Sequence, residues 1–195
     1  MVSVHSSQQA MSLIPASVKI LVAGGFGVGK TTLVGSVSEI PPLSTEEMLT
    51  EASAGVDDLA GVEDKSTTTV ALDFGRITIS PRIVLYLFGT PGQDRFWFMW
   101  DELANGAIGA IVLIDTRRLE TSFAAIDFFE RRNIPFVVVV NRFDGAYDYT
   151  PDEVRQALAI NDGIPVMVCD ARKSDSSKLA LIKLLEHAMS KLPVE

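Results

Sequence analysis

The chain has 195 residues, 47% of them hydrophobic, which fits one domain of ordinary size with a substantial core. Its formal charge of -8 gives no general electrostatic reason to expect nucleic acid or an anionic membrane as a partner. A single cysteine, Cys169, excludes an intramolecular disulfide, and within the apolar run Pro165-Val166-Met167-Val168-Cys169 it reads as a small core residue in a reducing compartment.

Residues 1–16 are small and polar, with no basic region ahead of a long apolar block, so they are expected to form a disordered tail rather than a secretory signal. Residues 17–192 are expected to form the single domain. No run of about 18 uncharged apolar residues occurs, and the sequence shows no prenylated C-terminal cysteine; a cytoplasmic protein without a direct membrane anchor is expected, recruited to a membrane only through a partner.

Short apolar, β-branched runs then alternate with helical patterns. They are Val18 to Ala23, Val70 to Ile79, Ile83 to Phe88, Ala107 to Ile114, Pro135 to Val140 and Pro165 to Val168. This alternation predicts an α/β fold with a mostly parallel six-stranded sheet and helices on both faces. Helices are expected from Lys30, near Asp94 to Leu103, near Leu119 to Arg131, from Pro151, and from Ser174 to Lys191. Thr150-Pro151-Asp152-Glu153 combines a cap, a proline at the first helical position and a capping-box glutamate. Ser44-Thr45-Glu46-Glu47, inside the polar and acidic stretch Glu39 to Ser66, suggests a short capped helix in a long loop of the functional or mobile kind.

The clearest chemical signal is Gly24-Gly25-Phe26-Gly27-Val28-Gly29-Lys30-Thr31, continuing into Thr32, which matches G-x-x-x-x-G-K-[ST] between a predicted strand and a predicted helix. The glycines let backbone N–H groups turn toward phosphates, Lys30 supplies a cation to the β and γ phosphates, and the Thr31 hydroxyl can ligate Mg²⁺. The base is read further on. Asn141-Arg142-Phe143-Asp144 follows the buried run Phe136 to Val140 at the carboxyl edge of the sheet. A carboxylate at Asp144 accepts from N1–H and the N2 amine of guanine, whereas adenine has an acceptor at N1 and no N2 amine. The other reading of this tetrad is a strand-ending turn in which Asn and Asp serve turn chemistry.

With these motifs in place, the chain resembles a Ras-superfamily small GTPase, a P-loop NTPase fold, from about Ser17 to Leu192. Asn141-Arg142-Phe143-Asp144 is similar to the family's N-K-x-D, with Arg142 supplying the aliphatic stem that stacks over the base. Cys169-Asp170-Ala171-Arg172 resembles its S-A-K loop, which implies that the backbone N–H of Ala171 reaches the guanine carbonyl. Thr69, in Thr67-Thr68-Thr69 ahead of Val70-Ala71-Leu72-Asp73-Phe74, aligns with the switch threonine that binds Mg²⁺ and the γ-phosphate; three threonines opening a β-strand are the plainer account.

The stretch Gly89-Thr90-Pro91-Gly92-Gln93 aligns with the family's D-x-x-G-Q. The resemblance implies that Gly92 senses the γ-phosphate and Gln93 orients the attacking water, but Gly89 stands where an aspartate would hold Mg²⁺ through water. Mg²⁺ would keep Thr31, Thr69, the phosphates and waters. The run Leu85 to Trp100 is similar to the bacterial conservon-type GTPases and, more distantly, to MglA-type GTPases. That likeness implies a GTP/GDP switch in signal transduction, a Roadblock/LC7-type regulator and a sensor-kinase complex as partners. Catalytic roles fall to Lys30, Thr69 and Gln93; Arg95, close behind Gln93, could swing toward the γ-phosphate, while a surface place is the plainer account of Arg95, Arg76 and Arg82, and acceleration is left to a partner. A hydrolysis-silent GTP-binding scaffold and an ATP-selective P-loop enzyme stay open.

Phe96-Trp97-Phe98-Met99-Trp100 is either partly exposed as a partner surface or buried between sheet and neighbouring helix. Asp115 reads as a structural cap at a strand end, and His187 as a packing or surface residue.

Overall fold

The computed structural model describes residues 15–41, 43–49, 68–92 and 96–192. In chain order the elements are β1 (Ala16–Ala23), α1 (Lys30–Val37), β2 (Leu43–Leu49), β3 (Thr68–Ser80), β4 (Ile83–Gly89), α2 (Phe98–Ala104), β5 (Ala107–Ile114), α3 (Phe123–Arg131), β6 (Phe136–Asn141), α4 (Pro151–Leu158), β7 (Val166–Cys169) and α5 (Ser174–Ser190). All six expected strands are present. A seventh, β2, makes the order β2-β3-β4-β1-β5-β6-β7. The β1–β4, β1–β5, β5–β6 and β6–β7 pairs are parallel, and β2 and β3 run antiparallel at one edge.

The expected short helix at Ser44-Thr45-Glu46-Glu47 is therefore corrected: these residues lie within β2, paired with Ala71 to Asp73 and their neighbours of β3. A local capping pattern loses here to the backbone hydrogen bonds that the free edge of β3 offers. A second boundary also moves. The residues before α3 form a 3₁₀ segment, Thr116–Ser122, broken at Arg118 (φ -144, ψ 54), so the α-helix itself begins at Phe123.

Alternation along the central strands builds two cores, one on each face of the sheet. Ile20, Val22, Leu113 and Val139 pack against Leu33 and Val34 of α1 and Leu184 of α5. Leu21, Val112, Ile114 and Val138 pack against Trp100, Phe129 and Leu158 on the other face. Both β5 and β6 are buried almost throughout, as strands covered by helices on both sides must be. The carboxyl ends of β1, β5, β6 and β7 share one edge, where the loops that carry the motifs emerge.

The aromatic run divides between the two expected fates. Phe96 and Trp100 are buried and Phe98 is 65% exposed. Trp100 stacks on Trp97 at 4.7 Å, meets Phe128 edge-on at 5.2 Å, and donates its indole N–H to Pro91 O at 3.2 Å. The loop after β4 is thereby tied to the core.

Candidate nucleotide-binding site

The phosphate end is assembled where β1 passes into α1. No side chain caps α1 and no acidic residue lies in its first turn, so its leading N–H groups face the loop Gly24 to Gly29 as anion donors. Phe26, Gly27, Gly29, Lys30, Thr31, Thr32, Asp73, Thr90 and Gly92 line a cavity of about 340 Å³. The Lys30 ammonium, buried beneath the loop, donates to Gly24 O at 2.8 Å and Gly25 O at 2.7 Å. Burial pushes its pKa down to about 8, partly offset by the charge of Asp73. A buried cation held by two carbonyl oxygens and facing an acidless helix terminus has the character of a phosphate counter-ion.

Gly92 touches this group. A Cβ at Gly92 would lie 2.6 Å from Lys30 Nζ and 2.8 Å from Phe26 N, so glycine is what allows the loop after β4 to approach the phosphate cradle. Gln93 and Arg95 lie outside the described residues, as does the side chain of Thr69, whose backbone in β3 pairs with Met48 of β2.

Opposite Gly89, one strand away, stands another aspartate. Asp73 pairs with Gly89 across the antiparallel β3–β4 ladder, is buried, and its Oδ2 accepts from the Thr31 hydroxyl at 2.8 Å. A Cβ on Gly89 would stand 2.9 Å from both Cβ and Oδ2 of Asp73. The two positions thus compete for one volume, and in this chain β3 fills it. In the sequence Asp73 stands out only as part of the strand after the threonines. A hydroxyl and a carboxylate beside a phosphate cradle suit Mg²⁺, which keeps most of its ligands as water and phosphate oxygen. Among the described residues no cluster of three acidic, histidine or cysteine side chains forms a denser metal site.

The base end uses β6 and β7. Asn141 is buried and fully engaged, donating Nδ2 to Val28 O at 3.0 Å and accepting at Oδ1 from Ala171 N at 3.0 Å. It therefore ties the phosphate loop to the loop after β7. The Ala171 N–H, for which the resemblance implies a role toward the guanine carbonyl, here donates to Asn141 Oδ1, since a buried amide oxygen without a donor would be costly. Arg142 is exposed and reaches toward Asp148, Nε to Oδ1 at 3.4 Å. Asp144 is 87% exposed and its carboxylate is held by Arg172, Nη1 to Oδ2 at 3.0 Å and Nη2 to Oδ1 at 3.3 Å. That guanidinium lowers the pKa of Asp144.

The 3₁₀ segment buttresses the loop. Arg118 donates to Phe26 O at 3.1 Å, and a Cβ on Gly25 would meet Thr121 Oγ1 at 2.6 Å. Asp115 acts as the expected cap, accepting from Arg117 N at 3.0 Å, and its pKa is lowered chiefly by the Arg117 side chain.

A family model described as a conserved hypothetical ATP binding protein matches residues 22–191, a span that holds both ends of this site. The chain belongs to that family. Among similar proteins, an uncharacterised protein of Methanocaldococcus jannaschii is 32% identical over 172 residues, covering 87% of this chain and 96% of its own length. Human Ras-related protein Rab-40B is 30% identical and covers 89% of this chain, which spans 60% of that protein. Human Ras-related protein Rab-7b is 26% identical over 89% of this chain and 83% of its own. The G domain of the T. maritima FeoB iron transporter superposes with a TM-score of 0.61 at 20% identity, over 89% of this chain and 99% of that one. The Rab relatives and the FeoB G domain support a Ras-like P-loop fold for this chain. Among the described residues no helix is long and apolar enough to cross a membrane.

Proposed function

We propose that the protein is a guanine-nucleotide switch that hydrolyses GTP slowly with Mg²⁺. The observation that supports this reading is the Thr31–Asp73 hydrogen bond beside Lys30, a hydroxyl and a carboxylate of the kind Mg²⁺ takes, although Gly89 replaces the usual aspartate. Bound Mg²⁺ would neutralise charge on the β and γ phosphates. Lys30 and the N–H groups of the loop hold those phosphates, Thr31 and Asp73 hold the metal and its water, and Thr69 and Gly92 respond to the third phosphate. Gln93 orients the attacking water. With acceleration left to a partner, turnover on the order of 10⁻⁴ to 10⁻³ per second is expected of the protein alone.

Guanine is favoured over the adenine of the family's description because Asp144 offers two acceptors at the base edge and no donor. Adenine presents an acceptor at N1, so the carboxylate repels it. The partners by resemblance are a Roadblock/LC7-type regulator and a sensor-kinase complex, met through the exposed Phe98 and the loop after β4, with the protein recruited from the cytoplasm.

Calorimetric titration with GTP and with ATP in Mg²⁺, followed by phosphate release over hours, tests this. Tight GTP binding with slow release is expected. GTP binding with no release, even with a partner, would instead support a hydrolysis-silent scaffold, and equal ATP binding would support an ATP-selective enzyme.

A further inference from the structure

We propose that Arg172 closes the base-reading edge of the site in the nucleotide-free protein by standing in for guanine. The inference rests on Asp144 being the guanine reader.

A guanidinium presents two parallel, coplanar N–H donors, the same pattern as N1–H and the N2 amine of guanine. Arg172 delivers that pattern to both Asp144 oxygens, at 3.0 and 3.3 Å. The two inward lone pairs of the carboxylate are then taken, and one rigid base edge cannot use the two outward ones together. Arginine and guanine are mutually exclusive on Asp144.

The other half of Arg172 explains where the guanidinium goes when displaced. Its Nε donates to Asp170 Oδ1 at 2.8 Å and its Nη2 to Asp170 Oδ2 at 3.1 Å, while Arg172 N also donates to Asp170 Oδ1 at 3.1 Å. Asp170 is 10% exposed, and its own N–H is fixed by Ser176 Oγ at 3.0 Å. Asp170 is the anchored post and Asp144 the exposed latch. Opening breaks only the exposed pair, so the closed state is a modest competitor that lowers apparent affinity by the fraction of open molecules. Lys173, 3.6 Å from Asp170, weakens the post's hold by sharing it.

The test uses the full chain, GDP as probe and Mg²⁺ in a calorimeter. Arg172→Met keeps the aliphatic stem and removes every donor; it is expected to bind GDP about two- to fivefold more tightly than the natural protein, the range of an exposed ion pair. The ratio should shrink as KCl rises, because salt opens the latch in the natural protein. Asp170→Asn frees Arg172 to serve Asp144 alone and is expected to weaken GDP. Arg172→Lys, which keeps the charge without the planar fork, gives a smaller gain and serves if the methionine variant unfolds. In an Asp144→Asn background the gain from Arg172→Met should vanish. Equal or weaker GDP binding by Arg172→Met and Arg172→Lys, with Asp144→Asn still weakening GDP, would overturn the latch and leave the guanine reading standing. If Asp144→Asn leaves GDP affinity intact, the guanine reading fails and the latch with it.

Discussion

The two ends of the site are built on opposite principles. At the phosphate end Lys30 and Asp73 are buried and each holds short hydrogen bonds to the same loop or helix turn. At the base end Asp144 and Arg172 are largely in solvent and satisfy each other. A phosphate site must supply fixed charge to a ligand common to all nucleotides, so it can be rigid and dry. A base site must discriminate, and discrimination needs groups whose wrong pairing is felt, which leaves them free to pair with something else until the right ligand arrives.

Removing the fixed charge should have the largest effect. Lys30→Ala deletes a buried ammonium that is the counter-ion of the cradle, and GTP and GDP affinity should fall roughly a hundredfold or more, as for one partner of a buried charge pair. Calorimetry checks it; a loss under tenfold would mean that the loop N–H groups carry the phosphates without the lysine.

The Gly89–Asp73 exchange comes next. Gly89→Asp places a second carboxylate in the volume Asp73 already fills and should destabilise the fold by about 2–4 kcal/mol. Asp73→Gly should leave the fold intact and weaken the Mg²⁺ dependence of nucleotide binding. Combining them moves the carboxylate to the strand end where the D-x-x-G-Q pattern has its aspartate, and should recover part of both losses, a coupling of about 1–3 kcal/mol. Thermal unfolding and Mg²⁺ titration of the four proteins read this out, and additive effects would show that the two positions do not share one volume.

At the base end, Asp144→Asn should cost about 1–3 kcal/mol of GTP affinity and leave the weak ATP affinity unchanged. Loss of both nucleotides alike would transfer Asp144 from the discriminating side of the comparison to the structural side.

The contrast also explains what the sequence discloses. The phosphate loop was legible because each of its positions answers a local demand of the chain between β1 and α1. Asp144 was legible because it sits in a tetrad directly after a buried strand. Asp73 was not, since its role depends on register between β3 and β4. From the closure Ser80–Ile83 a plain antiparallel count sets Phe74 against Gly89; the shift between Thr78 and Ser80 sets Asp73 there instead. One extra residue in a strand turns the neighbouring side chains to the other face. Likewise β2 exists because β3 has an unpaired edge, a non-local fact invisible to the capping pattern Ser44-Thr45-Glu46-Glu47. The commitment of Ala171 N–H to Asn141 was hidden for the same reason, as it joins segments 30 residues apart in sequence.

The mildest test of the comparison is pH, because between the two it titrates Lys30 at the phosphate end and not Asp144 at the base end. Lys30 has its pKa lowered to about 8 by burial, whereas in the unfolded chain it titrates near its usual value of 10.5. Between those values the unfolded chain binds more protons, so the contribution of Lys30 to stability rises as pH climbs from about 8 to 10.5; below pH 8 the fold carries the penalty of a buried charge in full. Nucleotide binding has the opposite sign. Phosphate favours the charged ammonium, so binding takes up a proton, and affinity should fall roughly tenfold from pH 7 to pH 9. The Asp144 carboxylate adds nothing in this window, because Arg172 holds it below the usual carboxylate range. Calorimetry in buffers of different ionisation enthalpy counts the proton directly: uptake above pH 8 that disappears in Lys30→Ala assigns it to the cradle, and no uptake would mean that Lys30 is already fully charged before the phosphates arrive.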